Sequence, residues 1–335
     1  MVSDCVGWYR QAKSGTHDWK TLGLCGHKVA MEVGSDATPE DLMKALGDKN
    51  YGARQNAAAH RNATAEVLMK AVGDESASVR GEAARHPNAT PEVLMKALGD
   101  RNLRVRMAAA SNRNATPEVL MGALEDEDYN VREAAASHQN ATPEVLMGAV
   151  GDEDYDVREA AASNRNATAE VLMKALGDRN LRVRMAAASH PNATPEVLMR
   201  VLEDEVLSYV REDAARHPNA TPEVLMKALE DEDYNVRRVA TRHPNATARI
   251  GAEWLINVLK SRAESEIPAY LKELGVHDGK FKLSDLVRFI ITDGRVDLDD
   301  LELFQKALEE SHFAQYAPII TRMIRLEKMR RKDGA

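Results

Sequence analysis

Residues 115–140 read A-T-P-E-V-L-M-G-A-L-E-D-E-D-Y-N-V-R-E-A-A-A-S-H-Q-N. Close copies begin at Ala37, Ala63, Ala89, Ala115, Ala141, Ala167, Ala193 and Ala220, and the last ends at Asn245. The period is 26 residues, with one extra residue in copy 193–219. A fixed period of this size means stacked supersecondary units, because one unit cannot bury its apolar face alone. The repeat therefore predicts an all-α chain: an α-solenoid of about eight two-helix units.

Within copy 115–140, Thr116 is a suitable N-cap, Pro117 takes the first helical position and Glu118 complements the helix dipole. Val119, Leu120, Ala123 and Leu124 form a buried stripe at helical spacing. Asp126 ends this helix and opens a polar link. Val131, Arg132, Ala134, Ala135 and Ala136 predict a second, Ala-rich helix that Asn140 closes. Ala lets neighbouring backbones approach, so eight copies at roughly 8–10 Å each predict a rod or arc on the order of 80 Å. Repeat proteins commonly bind on the concave side of such arrays.

Composition supports a core without rings. Aromatics are 4% of the 335 residues. Phe281, Phe289, Phe304 and Phe313 all follow the repeats, and Trp8, Trp19 and Trp254 lie outside them. Leu, Val, Met and Ala must build the repeat interior. A net charge of -8 argues against a dedicated nucleic-acid binder. Two cysteines, Cys5 and Cys25, make no disulfide framework. There is no signal-like apolar stretch at the N-terminus and no run long enough to span a membrane. These features predict a cytoplasmic protein. The recurrent N-A-T, at Asn62, Asn88, Asn114, Asn140, Asn166, Asn192, Asn219 and Asn245, is formally a glycosylation acceptor. The structural reading is preferred: Asn takes the left-handed conformation ending one helix, and Thr caps the next.

Each copy carries Asp and Arg six apart, among them Asp100/Arg106, Asp126/Arg132, Asp152/Arg158 and Asp178/Arg184; copy 193–219 has Asp204/Arg211, seven apart. Catalysis needs an unusual constellation in one place, so a ladder of structural ion pairs between adjacent units is expected instead. His60, His86, His138, His190, His217 and His243 share one repeat position with Asn112 and Asn164. The alternation suits bonding to helix C-terminal carbonyls rather than a metal array.

The string V-R-E-A-A-A-S-H-x-N-A-T-P-E-V-L-M-x-A-L-x-D resembles the leucine-rich repeat variant family and, more loosely, HEAT repeats, over residues 37–245. The resemblance implies a right-handed superhelix in which an α-helix pairs with a 3₁₀-like one. It also implies protein binding, although some HEAT-like relatives act on DNA or as bilin lyases. The cysteine cluster that holds iron and sulfur in the first-described family type is not carried over, because two cysteines stand where four are needed. No cofactor, metal or catalytic residue is expected in the repeats.

Differences among copies are the functional signal. The residue after the Asp alternates in sign: Lys49, Glu75, Arg101, Glu127, Glu153, Arg179, Glu205 and Glu232. Copies three and six share L-G-D-R-N-L-R-V-R-M-A-A-A-S, which gives a three-unit superperiod with basic ridges at Arg101/Arg104/Arg106 and Arg179/Arg182/Arg184. Duplication of a three-unit block and a striped surface matched to a partner both explain it. Candidate contact residues are Arg104, Met107, Glu133, Glu159, Arg182, Met185, Glu212 and Arg238. Tyr129, Tyr155 and Tyr234 are either anchors or half-buried packing at the link.

Residues 1–36 read as a degenerate N-terminal cap; Cys5, His17, Cys25 and His27 lack a tight zinc spacing. Residues 246–335 read as a C-terminal helical domain. In it D-G-K-F-K-L-S-D-L and D-G-R-V-D-L-D-D-L fail as calcium loops, and the tail R-M-I-R-L-E-K-M-R-R-K is basic and amphipathic. The expected function is a non-enzymatic scaffold for a protein partner. Nucleic-acid binding along the Arg ridges, or a lyase subunit with its chemistry at the ends, are the alternatives; no membrane association is expected.

Overall fold

A computed structural model of the chain describes residues 34–203 and 207–247, with scattered single positions between 250 and 329. Sixteen α-helices are described in full, and no strand occurs among the described residues. They come as one pair per copy. The first helices are Pro39–Ala45, Ala65–Ala71, Pro91–Leu98, Pro117–Ala123, Pro143–Ala149, Ala169–Leu176, Pro195–Leu202 and Pro222–Ala228. The second helices are Tyr51–Ala58, Ala77–Arg85, Leu103–Ala110, Tyr129–Ala136, Tyr155–Ser163, Leu181–Ala188, Ser208–Arg216 and Tyr234–Arg242. The chain divides into two compact bodies, Met1–Ala134 and Ala135–Ala335. Within each body a described helix packs on its own partner and on its counterpart in the next unit, so the described part of each body is a length of α-solenoid. The terminal cap up to residue 33, with Cys5, His17, Cys25 and His27, lies outside the described residues, as does nearly all of the C-terminal domain.

The first helix starts where its sequence dictates. Thr116 Oγ1 accepts the Val119 N–H, and the same bond forms at Thr64, Thr142, Thr168, Thr194 and Thr221. Pro fills the first helical position in six of the eight copies. Val and Leu then turn inward: Leu42, Leu68, Leu94, Leu120, Leu146, Leu172, Leu198 and Leu225 have no exposed surface. The second helix buries Ala instead, at Ala57, Ala83, Ala109, Ala135, Ala161, Ala187 and Ala214. A methyl group is the largest side chain that allows such close helix approach without a cavity.

Three details differ from the sequence reading. The second helix is α in every described unit, not 3₁₀-like. The first helix of copy 115–140 ends at Ala123, so Asp126 sits in the link rather than closing the helix. Nor does Asn close the second helix, which stops before the His or Asn that precedes it by two. The Asn amide reaches backwards instead: Asn88 Nδ2 donates to the Ala63 carbonyl at 3.1 Å and Asn192 Nδ2 to that of Ala167 at 3.1 Å. The residue is thereby a donor tying one unit to the last.

The Arg and Asp do form the inter-unit ladder, with a twist that spacing within a unit does not reveal. Each Arg of a described pair binds the Asp of the following unit, twenty residues on. Arg54 Nε lies 2.7 Å from Asp74 and Arg106 Nε 2.7 Å from Asp126; Arg80–Asp100, Arg158–Asp178 and Arg211–Asp231 repeat the bidentate pair. The Asp of its own unit offers Arg only a main-chain carbonyl, as Arg158 Nη1 to Asp152 O at 2.8 Å shows. The Asp178 carboxylate is held by Arg158 of the unit before, and Arg184 Nη1 donates to the Asp178 and Arg179 carbonyls, at 2.9 and 3.4 Å. Arg184 is also half-buried, where Arg54, Arg80, Arg106, Arg132, Arg158 and Arg211 are buried. The Asp twenty residues ahead of it, Asp204, lies outside the described residues.

The bidentate pairs are buried, with 6% and 8% of the side chains exposed for Arg54 and Asp74. Burial by itself would raise the Asp100 pKa; the Arg80 guanidinium and the Asn102 N–H outweigh it and hold the carboxylate below its ordinary range. Removing one partner strands a buried charge, at about 3–5 kcal/mol. Asp126→Ala should therefore lower the urea midpoint by an amount equivalent to about 3 kcal/mol. Glu127→Ala, which removes only an exposed carboxylate from the same Arg106, should stay within about 0.5 kcal/mol of the parent. Equal losses for the two would contradict the ladder.

The histidines form a second ladder. His86 Nδ1 accepts the Asn88 N–H at 3.1 Å, and its Nε2 faces the His60 carbonyl at 3.0 Å. A backbone N–H only donates and a carbonyl only accepts, so the ring is neutral with its proton on Nε2. Asn112 does the same work: Oδ1 accepts the Asn114 N–H at 2.9 Å while Nδ2 donates to the Ala84 and His86 carbonyls. That is why His and Asn interchange at this position. Burial pushes the pKa of His86, His190 and His217 down, against the raising effect of the carbonyl bond. The unfolded chain then binds more protons than the folded one. Stability is complete above the unfolded value of about 6.5 and falls as pH drops below it. Thermal midpoints should be flat from neutral to mildly alkaline pH and decline below about pH 6.5. Replacing His86, His190 and His217 together by Asn should flatten that decline; an unchanged profile would count against the neutral ladder.

Candidate functional site

The variable positions of the second helix share one face. Arg104, Met107 and Ser111 are spaced i, i+3 and i+7, which puts them in a row on a helix surface. All three line a groove of about 530 Å3 in the first body, together with Arg85, Pro87, Ala108, Asn112 and Arg113. Arg104 is exposed and Met107 half-buried. Glu133 lies half-buried at the corresponding position of the next unit.

In the second body the same row carries Glu159, Arg182, Met185, Glu212 and Arg238. Here the charges face one another. Arg182 Nε lies 2.9 Å from Glu159 Oε2 and its Nη2 3.2 Å from Oε1; Asp156 stands 3.6 Å away. The same guanidinium rests over the Tyr155 ring, 5.7 Å from its centroid. Arg216 pairs with both Glu212 and Asp213. Arg238 Nη2 reaches the Asn235 side chain at 3.3 Å. Tyr209, at the place Arg182 holds one unit earlier, donates its hydroxyl to Met185 Sδ at 3.5 Å.

The structure thus brings Arg104 and Met107 into one groove and pairs Arg182 with Glu159. Tyr129 and Tyr155 stay about two-fifths exposed, and Tyr234 is half-buried. Sequence reasoning passed over Gly81, Arg85 and Pro87. The signal was present: copy two reads A-S-V-R-G-E-A-A-R, with Gly81 where other copies place Gln, Met, Glu or Arg, and Arg85 where most place Ser or Ala. It also passed over the exposed methionines of the first helices, Met95, Met121 and Met173. One of these lies beside a small residue: a Cβ on Gly122 would meet Met95 at 3.6 Å.

Among the described residues no three His, Cys, Asp or Glu side chains converge as metal ligands would. No described helix is long and apolar enough to cross a membrane. No protein-family model matches the sequence, and no characterised protein is significantly similar to it. The groove and the row of second-helix side chains are the chemistry from which function is argued.

The clamp at Arg182 and the groove at Arg104 separate two roles for one motif. Arg182→Ala removes a pair whose guanidinium is exposed and whose Glu159 is half-buried, worth about 1 kcal/mol after solvent screening. Its thermal midpoint should move by no more than a few degrees, about 2–4 °C per kcal/mol for a chain of this class. A larger loss would mean that the second-helix face is part of the fold's support rather than free for contact.

Proposed function

We propose that this chain is a non-enzymatic scaffold, related to leucine-rich repeat variant and HEAT-like proteins, that holds a protein partner along its second-helix face in the cytoplasm. One observation carries the reading. Buried positions repeat from copy to copy almost without change, while the outward row on the second helix takes Gln55, Gly81, Met107, Glu133, Glu159, Met185, Glu212 and Arg238. The stacked core is uniform, whereas this row, half-buried except for the buried Gly81, changes from unit to unit, unlike the first-helix Glu that recurs in every copy. A surface individualised at regular intervals on a rigid frame suits recognition of an extended partner.

Nucleic-acid binding fits less well. It needs consecutive phosphate contacts along a basic stripe, and Arg182, the centre of the second ridge, is bound by Glu159 and Asp156. A lyase role would rest on the terminal segments, which lie outside the described residues.

Site-specific photocrosslinking in the native host tests the reading. A benzophenone amino acid at Met107 or Met185 should capture a discrete protein. The same probe at Glu118, exposed on the first helix, should not. Equal capture from both faces, or nucleic acid as the crosslinked species, would refute the assignment.

A further inference from the structure

We infer that the groove at Arg85 and Arg104 is a docking site for an acidic peptide segment, whose carboxylates pair with two guanidiniums that the fold leaves without a carboxylate. This rests on the reading that the second-helix face is the contact surface, and it names the partner's chemistry at one place on that face.

Two counterparts elsewhere in the array isolate these guanidiniums. The strings Leu103–Ser111 and Leu181–Ser189 are identical. Arg182 takes its carboxylates from the preceding unit, at Asp156 and Glu159. The same positions ahead of Arg104 hold Ser78 and Gly81, which carry no charge. The counterpart of Arg85, Arg216, is paired with Glu212 and Asp213 on its own helix. For Arg85 those positions are Gly81 and Glu82, and Glu82 is held by the Gln55 amide of the preceding unit at 3.0 Å. Among the described residues, no carboxylate comes within ion-pair distance of Arg85 or Arg104. Both are exposed and both line the same groove. Gly81 serves both vacancies: it deletes the acid facing Arg104, and it leaves room for Arg85, whose Nη1 would stand 3.2 Å from a Cβ there.

Guanidinium forks select planar carboxylates or phosphates. The surroundings favour carboxylates on a peptide. Met107, Ala108 and Pro87 give the groove an apolar floor that side-chain stems can cover, and Met adapts to irregular partners. The basic locus is short: along the row Gln55 precedes it and Glu133 follows it. A nucleic-acid backbone needs consecutive phosphate contacts, whereas a peptide can place its acids at the two guanidiniums alone.

The test is fluorescence anisotropy of the full chain with a fluorescein-labelled peptide of alternating glutamate and leucine. Binding should be measurable, should weaken as ionic strength rises, and should fall about tenfold or more in Arg85→Glu and Arg104→Glu. Gly81→Glu should lose binding similarly, because it rebuilds beside Arg104 the acid that neutralises Arg182. Arg182→Glu should bind as the parent does. Circular dichroism melts check that each variant folds, and the two Arg changes lie on exposed side chains. The proposal is overturned if the parent does not bind the peptide, if Arg182→Glu loses as much as Arg104→Glu, or if a deoxythymidine oligonucleotide of matched length displaces the peptide at equal concentration. Failure here with continued crosslinking from Met107 or Met185 would remove the acidic partner and leave the scaffold reading standing.

Discussion

The stack depends on one guanidinium per unit, buried in six of the eight. Arg has five donors in a fixed plane, and each must be met because the group is shielded from water. Arg54 meets them by reaching in two directions. Its Nη1 donates to the Asp48 and Lys49 carbonyls of its own link, while Nε and Nη2 grip both oxygens of Asp74 in the next unit. Asp74 is committed as well, since its Oδ1 also accepts the Ser76 N–H and shapes the next link. One side chain therefore closes a turn and sets the register of its neighbour. Lysine could not replace it: a single ammonium cannot serve two carbonyls and a bidentate carboxylate at once.

The extra residue of copy 193–219 shows how strictly this register is kept. Asp204 and Arg211 stand seven apart where other copies have six, yet His217 Nε2 still faces the His190 carbonyl at 3.1 Å and Asn219 Nδ2 still donates to the Ala193 carbonyl at 3.0 Å across that copy. What changes is the start of the second helix. Leu207 stands at the N-cap without a side-chain bond, where Asp154 and Asp233 accept a backbone N–H in their copies. A side-chain cap is worth about 1 kcal/mol, and the second helix forms without one at Leu207, as it does at Ser76, while the bonds to the preceding unit are kept. Stacking takes precedence over helix initiation.

This hierarchy explains what could be read from the residues alone. The period, the Thr caps, the inward Leu and the Ala-rich second helix are local features, and each followed from a spacing or a propensity. The partner of each Arg was not local. An Asp six residues back and an Asp twenty residues ahead are equally consistent with the sequence, and only the angle of the second helix to the next link selects the latter. The roles of Asn88 and His86 were obscured for the same reason. Their partners, the Ala63 and His60 carbonyls, belong to the preceding unit. A unit read in isolation shows its caps but not its couplings.

The same point governs the surface. The three-unit charge pattern treats each copy as a self-contained bearer of charge, so copies three and six should present equal basic ridges. They do not, because a second-helix side chain shares its surroundings with the unit before it. Arg182 follows a copy that ends its outward row with Glu159 and is neutralised; Arg104 follows one that carries Gly81 and is not. Chemistry on a stacked array belongs to the junction between two copies, and a motif repeated in sequence need not be a motif repeated in space. The informative residue is then the exception one unit upstream: a glycine, with no chemistry of its own, decides whether the arginine twenty-three residues later is structural or available.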